Sequence, residues 1–307
     1  MISINPHIQR LISEFSQDRL REYLKNIEGL RHGWENYQAL EERALFIEDT
    51  LRSFNLDVER QEVQFHGRTY RNIIATHYGN SEKAEMILLG AHYDAAIGSP
   101  GADDNASGVA VMLEAAKILS KYTFGNTIQF AAFTLEEPQP HTIHFLIGSN
   151  HFAEEANRLK RNYSAVLILE SVGYIDNAEG SQIAPLFIKV PVPKTGNFLG
   201  VVADRKSKDI MNVFADIAEQ YAPELLVVTY KVPFSGRIIP ETRFSDHASF
   251  WNQGYPALML TDTAMFRNPH YHSHRDRIDT LDFDFMAGVT KAVVSVIAQL
   301  GIYRNNS

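Results

Sequence analysis

The sequence predicts an α/β fold: a three-layer sandwich with a mixed, mostly parallel central sheet between helices. Short continuous apolar runs at Met86–Ala91, Thr127–Thr134, Ala165–Leu169 and Pro256–Leu260 read as strands covered on both faces. Stretches with helical spacing alternate with them, which is the pattern of a parallel α/β sheet. The chain of 307 residues, 45% of them hydrophobic, can bury one large core. No Pro/Gly/Ser-rich linker, low-complexity tract or repeat divides it. The expectation is a single domain over 1–307, with a helical lead-in at about 1–60.

Residues 8–29 carry Leu11, Phe15, Leu20 and Leu24 at helical spacing, and 34–54 carry Leu40, Ala44, Ile47 and Leu51, so two helices are expected to open the fold. Val63–Phe65 and Tyr70–His77 read as an antiparallel pair around the His66-Gly67 turn. The Met86–Ala91 strand ends at His92. Asn105 or Ser107 can cap a helix running to about Lys121, with Val109, Met112, Ala116 and Leu119 on one face. Thr127–Thr134 ends at Glu136-Glu137, where Pro138 withholds a donor from any continuation. A helix over 149–160 leads to Ala165–Leu169, which ends at Glu170. Phe198–Ala203 and Leu225–Tyr230 read as strands flanking a helix over Ser207–Tyr221. Pro256–Leu260 precedes the loop with His272, and a helix from about Phe283 to Leu300, capped by Asp282, closes the chain.

Composition narrows the function. A formal charge of −8, from 37 acidic and 29 basic residues, argues against nucleic acid or an anionic membrane as partner. Arg158–Arg161 and Arg205–Lys208 are short mixed runs that read as solvated surface. With 0 cysteines, disulfides and thiolate metal sites are excluded, and any metal must bind through His, Asp and Glu. The N-terminal residues lack the pattern of a signal peptide, and no apolar run is long enough to span a bilayer. The expectation is a soluble, cytoplasmic protein. Nothing in the sequence sets its oligomeric state.

The most informative stretch runs from His92 to Asp104, within Gly90-Ala-His-Tyr-Asp94 and Gly101-Ala-Asp-Asp-Asn-Ala-Ser-Gly108. It places an imidazole and several carboxylates after a strand, where an open α/β sheet builds its chemistry. The glycines Gly90, Gly101 and Gly108 read as turn formers. Further metal-competent side chains, Glu136-Glu137, Glu170 and His272, also lie at or just beyond strand ends. The C-terminal ends of parallel strands share one edge, so these residues converge there and suffice for two metal ions.

Five segments together resemble the bacterial zinc aminopeptidase family with a co-catalytic metal pair, related to glutamate carboxypeptidases, transferrin receptors and glutaminyl cyclases. They are the two just quoted, Glu136-Glu137 with Gly148-Ser149, Leu169-Glu-Ser-Val-Gly173, and Asn268-Pro-His-Tyr-His272 with Asp276. The resemblance covers about residues 70–290 and implies a mixed sheet between helical layers. It also implies two zinc ions, other divalent metals being possible: one held by His92 and Glu170, the second by Glu137 and His272, with Asp104 bridging them. Two ions about 3.5–4 Å apart can activate a water and polarise the scissile carbonyl of a peptide substrate. Glu136 matches the general base that moves a proton from water to the leaving amine, and Tyr271 matches a position where some members use a tyrosine for the developing oxyanion. Tyr271 reads equally well as a packing aromatic. Asp94 is expected to orient His92 by accepting its other N–H. Asp103 and Asp276 read as ligand orienters or as ordinary loop caps.

This chain also departs from the family pattern. Many members carry Asp where it has Glu170, and the segment 138–147 is longer than the glycine-containing turn of better-known members. His141 and His144 within it read as surface or cleft histidines. Ser245-Asp-His247 is not a hydrolase triad, because three consecutive residues cannot line up as nucleophile, base and orienter. Ser245 or Asp246 is instead expected to cap a helix. No dinucleotide or P-loop pattern occurs. The resulting expectation is a metallopeptidase removing N-terminal residues from peptides. The rivals are a glutaminyl cyclase-like acyltransferase using one zinc, a carboxypeptidase using Arg243 or Arg267 for the terminal carboxylate, and an inactive binding protein.

Overall fold

Alternation along each central strand places core on both faces of the sheet, as a parallel arrangement requires. In the computed structural model, which describes residues 4–301 except 141, 143 and 185–191, Ile87 and Leu89 of β3 (Met86–His92) join one apolar cluster and Leu88 joins another. Strand β5 (Tyr163–Glu170) behaves likewise, with Leu167 and Leu169 on one side and Val166 and Ile168 on the other. The larger cluster lies beneath helices α1 (Pro6–Ile12), α2 (Gln17–Ile27), α3 (Tyr37–Ser53), α4 (Gly108–Leu119), α6 (Lys208–Tyr221) and α8 (Phe283–Gly301). The smaller one lies beneath α5 (Ile147–Arg158) and α7 (His247–Asn252). These are the three layers expected.

The 8-stranded sheet has the order β1-β2-β4-β3-β5-β8-β6-β7, where β1 is Asp57–Phe65, β2 Arg68–His77, β4 Thr127–Phe133, β6 Leu199–Ala203, β7 Val227–Lys231 and β8 Ala257–Thr261. Strands β4, β3, β5 and β8 run parallel to their neighbours within that group, whereas β1/β2, β2/β4 and β6/β8 are antiparallel and β6/β7 is parallel. The sheet is therefore mixed, and its parallel centre points every C-terminal strand end to one edge. His92 pairs with Phe133 at that edge, and Glu170 pairs with Thr261.

Two local readings change. The periodic stretch 8–29 is two helices rather than one, because Ser16 takes an extended conformation and its Oγ accepts from Arg19 N to start α2. Helix α8 has the length and apolar composition of a membrane span, contrary to the sequence expectation, but it is mostly buried in the helical layer and Asp282 caps it by accepting from Phe285 N. Its apolar surface is satisfied by the core.

Candidate metal centre

Strand β3 delivers His92, whose side chain is fully buried. The chain then loops to Gly101, which adopts φ +60; an added Cβ there would lie 2.3 Å from Asp104 O, so only glycine fits. Of the glycines read as turn formers, only Gly101 turns the chain. Gly90 lies inside β3 against Phe133, and Gly108 is the first residue of α4. Asp104 follows in an irregular turn with φ −106 and ψ 92, and its bond to Asn105 is cis.

The Asp104 carboxylate divides its oxygens between two imidazoles. Oδ1 lies 3.2 Å from His92 Nε2, and Oδ2 lies 3.0 Å from His272 Nε2. Glu170 Oε2 is 3.5 Å from His92 Nε2, and Glu137 Oε2 is 3.3 Å from His272 Nε2. Two donor triads result, His92/Asp104/Glu170 and Asp104/Glu137/His272, each with its candidate ligand atoms within 4.8 Å of one another. Both ring nitrogens of His92, Asp104 Oδ1 and Glu137 Oε1 are buried without a hydrogen-bond partner. Buried polar atoms ordinarily find partners, so the orphaned His92 Nε2 and Asp104 Oδ1 of the first triad and Glu137 Oε1 of the second fit divalent cations.

The charges fit cations as well. Burial pushes Glu136 and Glu170 up and Glu137 to about 7. Burial would depress His92 and His272, yet the surrounding carboxylates raise His92 well above its ordinary value and His272 to about 10. Asp104 is held low against its burial by the two histidines. A cation set among these donors would provide the positive charge that protons on the histidines otherwise provide.

Glu136 Oε2 is 3.9 Å from His92 Nε2 and belongs to neither triad. Asp94 faces His92 Nδ1 at 3.4 Å through Oδ1, which is long for a hydrogen bond. Its well-formed contacts go elsewhere: Oδ1 accepts from Glu136 N at 3.0 Å and Oδ2 from Glu137 N at 3.1 Å, so Asp94 fixes the backbone of the glutamate pair. Asp276 does the same for the other loop, accepting from Asp103 N at 2.8 Å and Asp104 N at 3.1 Å. Asp103 accepts from Gly173 N and from Asn268 Nδ2, tying that turn to the loops after β5 and β8.

Tyr271 stacks on His272 with ring centroids 3.9 Å apart and lines an adjacent cavity of about 350 Å³. Phe198, Val202, Met259 and Phe266 give the cavity apolar walls, and Glu170 opens onto it. The sequence contains no local signal for this cavity, since its walls come from distant strands and loops. The expected helix cap at Ser245 or Asp246 is absent: neither side chain caps α7, and Ser245 Oγ donates to Glu170 Oε2 at 2.6 Å. Asp246 is buried with both oxygens unpartnered. His144 is exposed, and His141 lies outside the described residues.

A parallel sheet edge carrying two cation-ready triads around a shared aspartate, with a spare glutamate and an apolar cavity beside them, defines a metallohydrolase site. The chain belongs to peptidase family M28, whose model matches residues 72–297. It is 36% identical over 272 residues to the uncharacterized protein YfbL of Escherichia coli (strain K12), covering 86% of this chain and 81% of that one. Leucine aminopeptidase 1 of Ajellomyces capsulatus is 25% identical over 312 residues, covering 96% of this chain and 74% of that protein. Among solved structures, the LapA aminopeptidase of Legionella pneumophila superposes with a TM-score of 0.77 at 20% identity, covering 99% of this chain and 76% of that chain. The chain is accordingly a metallopeptidase acting on peptides, and its relatives support the aminopeptidase assignment.

Proposed function

We propose that this chain is one catalytic domain and a dinuclear zinc aminopeptidase. His92 and Glu170 would hold one ion, Glu137 and His272 the other, and Asp104 both. The observation that carries the reading is the division of the Asp104 oxygens between His92 and His272 while Glu136 stays outside both triads. When bound, such an ion pair supplies Lewis acidity toward a peptide carbonyl and acidifies water.

The residues of the chain do the rest. Glu136, held by Asp94 through its backbone amide, takes a proton from the attacking water and returns it to the leaving amine. Burial raises its carboxyl above the ordinary range, toward that of a group able to exchange protons near neutrality. The side chain of the N-terminal residue would enter the apolar cavity, which favours aliphatic or aromatic groups. Tyr271, between His272 and the cavity, would donate to the developing oxyanion.

The carboxypeptidase alternative is disfavoured by its candidate cations. Arg243 donates to Ser235 O and Asn252 Oδ1, while Arg267 donates to Gln182 Oε1 and has Asp262 and Asp103 acting on its charge. Zinc-loaded protein should be tested on aminoacyl, blocked aminoacyl and N-terminal Gln peptides. Hydrolysis of free-amine substrates alone is the expected result. Cleavage of blocked peptides only would overturn it, and ammonia release from N-terminal Gln with one zinc per chain would indicate a cyclase instead.

A further inference from the structure

Arg31 is among the largest fully buried side chains of the protein, and it lies in the segment between α2 and α3, outside the residues matched by the family model. Its guanidinium donates to four backbone carbonyls: Tyr93 O at 2.7 Å, Gly29 O at 3.0 Å, Gly101 O at 2.8 Å and Pro100 O. Tyr93 and Gly101 are the two ends of the loop between His92 and the Asp104 turn. Without these donors the buried Tyr93 carbonyl would have to find another partner, and Gly101 O would keep only its bond from Ala106 N at 3.1 Å. Gly29 N also donates to Pro100 O at 2.9 Å, so the segment grips the loop through backbone and side chain together. The carboxylates on which the Arg31 charge acts are Asp276, Asp94 and Asp104. The same segment reaches the other metal-bearing loop, for a Cβ added to Gly33 would lie 2.2 Å from Leu135 Cδ2.

We propose that Arg31 is a positioning residue of the metal centre: by closing the Tyr93–Gly101 loop it sets His92 and the bridging Asp104 for both ions. The inference rests on the dinuclear reading. Because Arg31 acts on the bridging ligand, its loss should weaken both ions together, whereas His92→Ala should chiefly empty one. The cavity is built from other segments, so KM should stay constant.

The test is competitive zinc titration of wild type, Arg31→Gln, Arg31→Lys and Arg19→Met against a chromophoric chelator, with circular dichroism, Tm and steady-state kinetics alongside. Arg19 anchors α2 to buried Glu114 of α4 and to Glu14 O, outside the 92–104 loop, and reports general loosening of the N-terminal segment. The expected result is that Arg31→Gln binds both zinc ions at least about tenfold more weakly, as loss of an outer support does. Its kcat should fall at least about tenfold at the zinc level that saturates wild type, with KM within about twofold. Arg31→Lys should recover part of the loss, because an ammonium can hold some of the carbonyls but lacks the planar fork. Arg19→Met should lower Tm and leave zinc affinity unchanged. Arg31 variants that resemble Arg19→Met, that lose one ion only, or that fail to fold would overturn the proposal. Wild type that binds no zinc would overturn the dinuclear reading itself.

Discussion

Replacing Asp94 by Asn isolates the coupling between the two loops that carry His92 and the glutamate pair. The carboxylate accepts from Glu136 N and Glu137 N, one oxygen each, and also faces His92 Nδ1. Asn has nearly the same shape but a single acceptor oxygen, so an NH₂ group must oppose a backbone N–H or the imidazole. A hydrogen bond to a charged group contributes about 1.5–3 kcal/mol, and at about 1.4 kcal/mol per factor of ten its loss is worth about 10- to 100-fold. That free energy should appear in two readouts, because Asp94 supports a proposed ligand and the proposed base at once. Zinc titration should show binding weakened by about that factor, and kcat on an aminoacyl substrate should fall further still at saturating zinc. KM should change little. Zinc affinity and kcat both within about twofold of wild type, in a folded variant, would show that Asp94 supports neither the ligand nor the base.

Further expectations follow from other parts of the site. Glu136→Gln should retain both zinc ions by elemental analysis and lose about 10²- to 10⁴-fold in kcat, the usual worth of a general base; retained activity would remove Glu136 from that role. Val228→Phe narrows the apolar cavity and should lower kcat/KM for leucyl substrates more than for alanyl ones, with zinc content unchanged. His247 is buried, its Nε2 lies 2.8 Å from Thr242 O, and burial depresses its pKa to about 3. The unfolded chain, with an ordinary value near 6.5, therefore takes up this proton first as pH falls, so the stability is fully present above about 6.5 and is lost from there down toward 3. Between pH 7.5 and 5 this amounts to about 2 kcal/mol, read as the extra pH dependence of urea unfolding in wild type relative to His247→Gln. Equal pH dependence of the two proteins would exclude His247 as its source.

The layers and nearly all strands were legible because both-face burial writes continuous apolar runs such as Met86–Ala91; His92, Glu136-Glu137 and Glu170 were legible because they follow such runs directly, whereas Asp104 and His272 lie in loops beyond strand ends and were picked out by the family resemblance. The Ser13–Ser16 break left a trace that a reading of one periodic stretch passes over: Leu11 and Leu20 are nine residues apart, about half a turn out of phase in an unbroken helix, yet both are buried in the same cluster. The supports of the site were harder to read. Ser245 carries an ordinary N-cap signature, and only the approach of α7 to β5 turns its hydroxyl toward Glu170. Arg31 sits in a short connection whose composition suggests solvent, and its burial follows from carbonyls of residues 93–101. The cavity, with walls from β6, β7, β8 and the loops after β5, β7 and β8, has no local signature at all.

These supports share a geometry that explains why the donors tolerate their own repulsion. Asp94 links the loop after β3 to that after β4, Asp276 holds the Asp103-Asp104 turn, Asp103 reaches Gly173 beyond β5, and Asn105 accepts from Ser171 N while donating to Leu169 O. Every loop bearing a proposed ligand is thus held by a side chain from another loop, mostly through backbone amides, which stay in place whatever the ligands bind or release. Carboxylates crowded at this density would separate if each rode on an independent loop. Held by their neighbours, they keep the spacing two cations need, and the repulsion among them favours cation binding rather than loop opening.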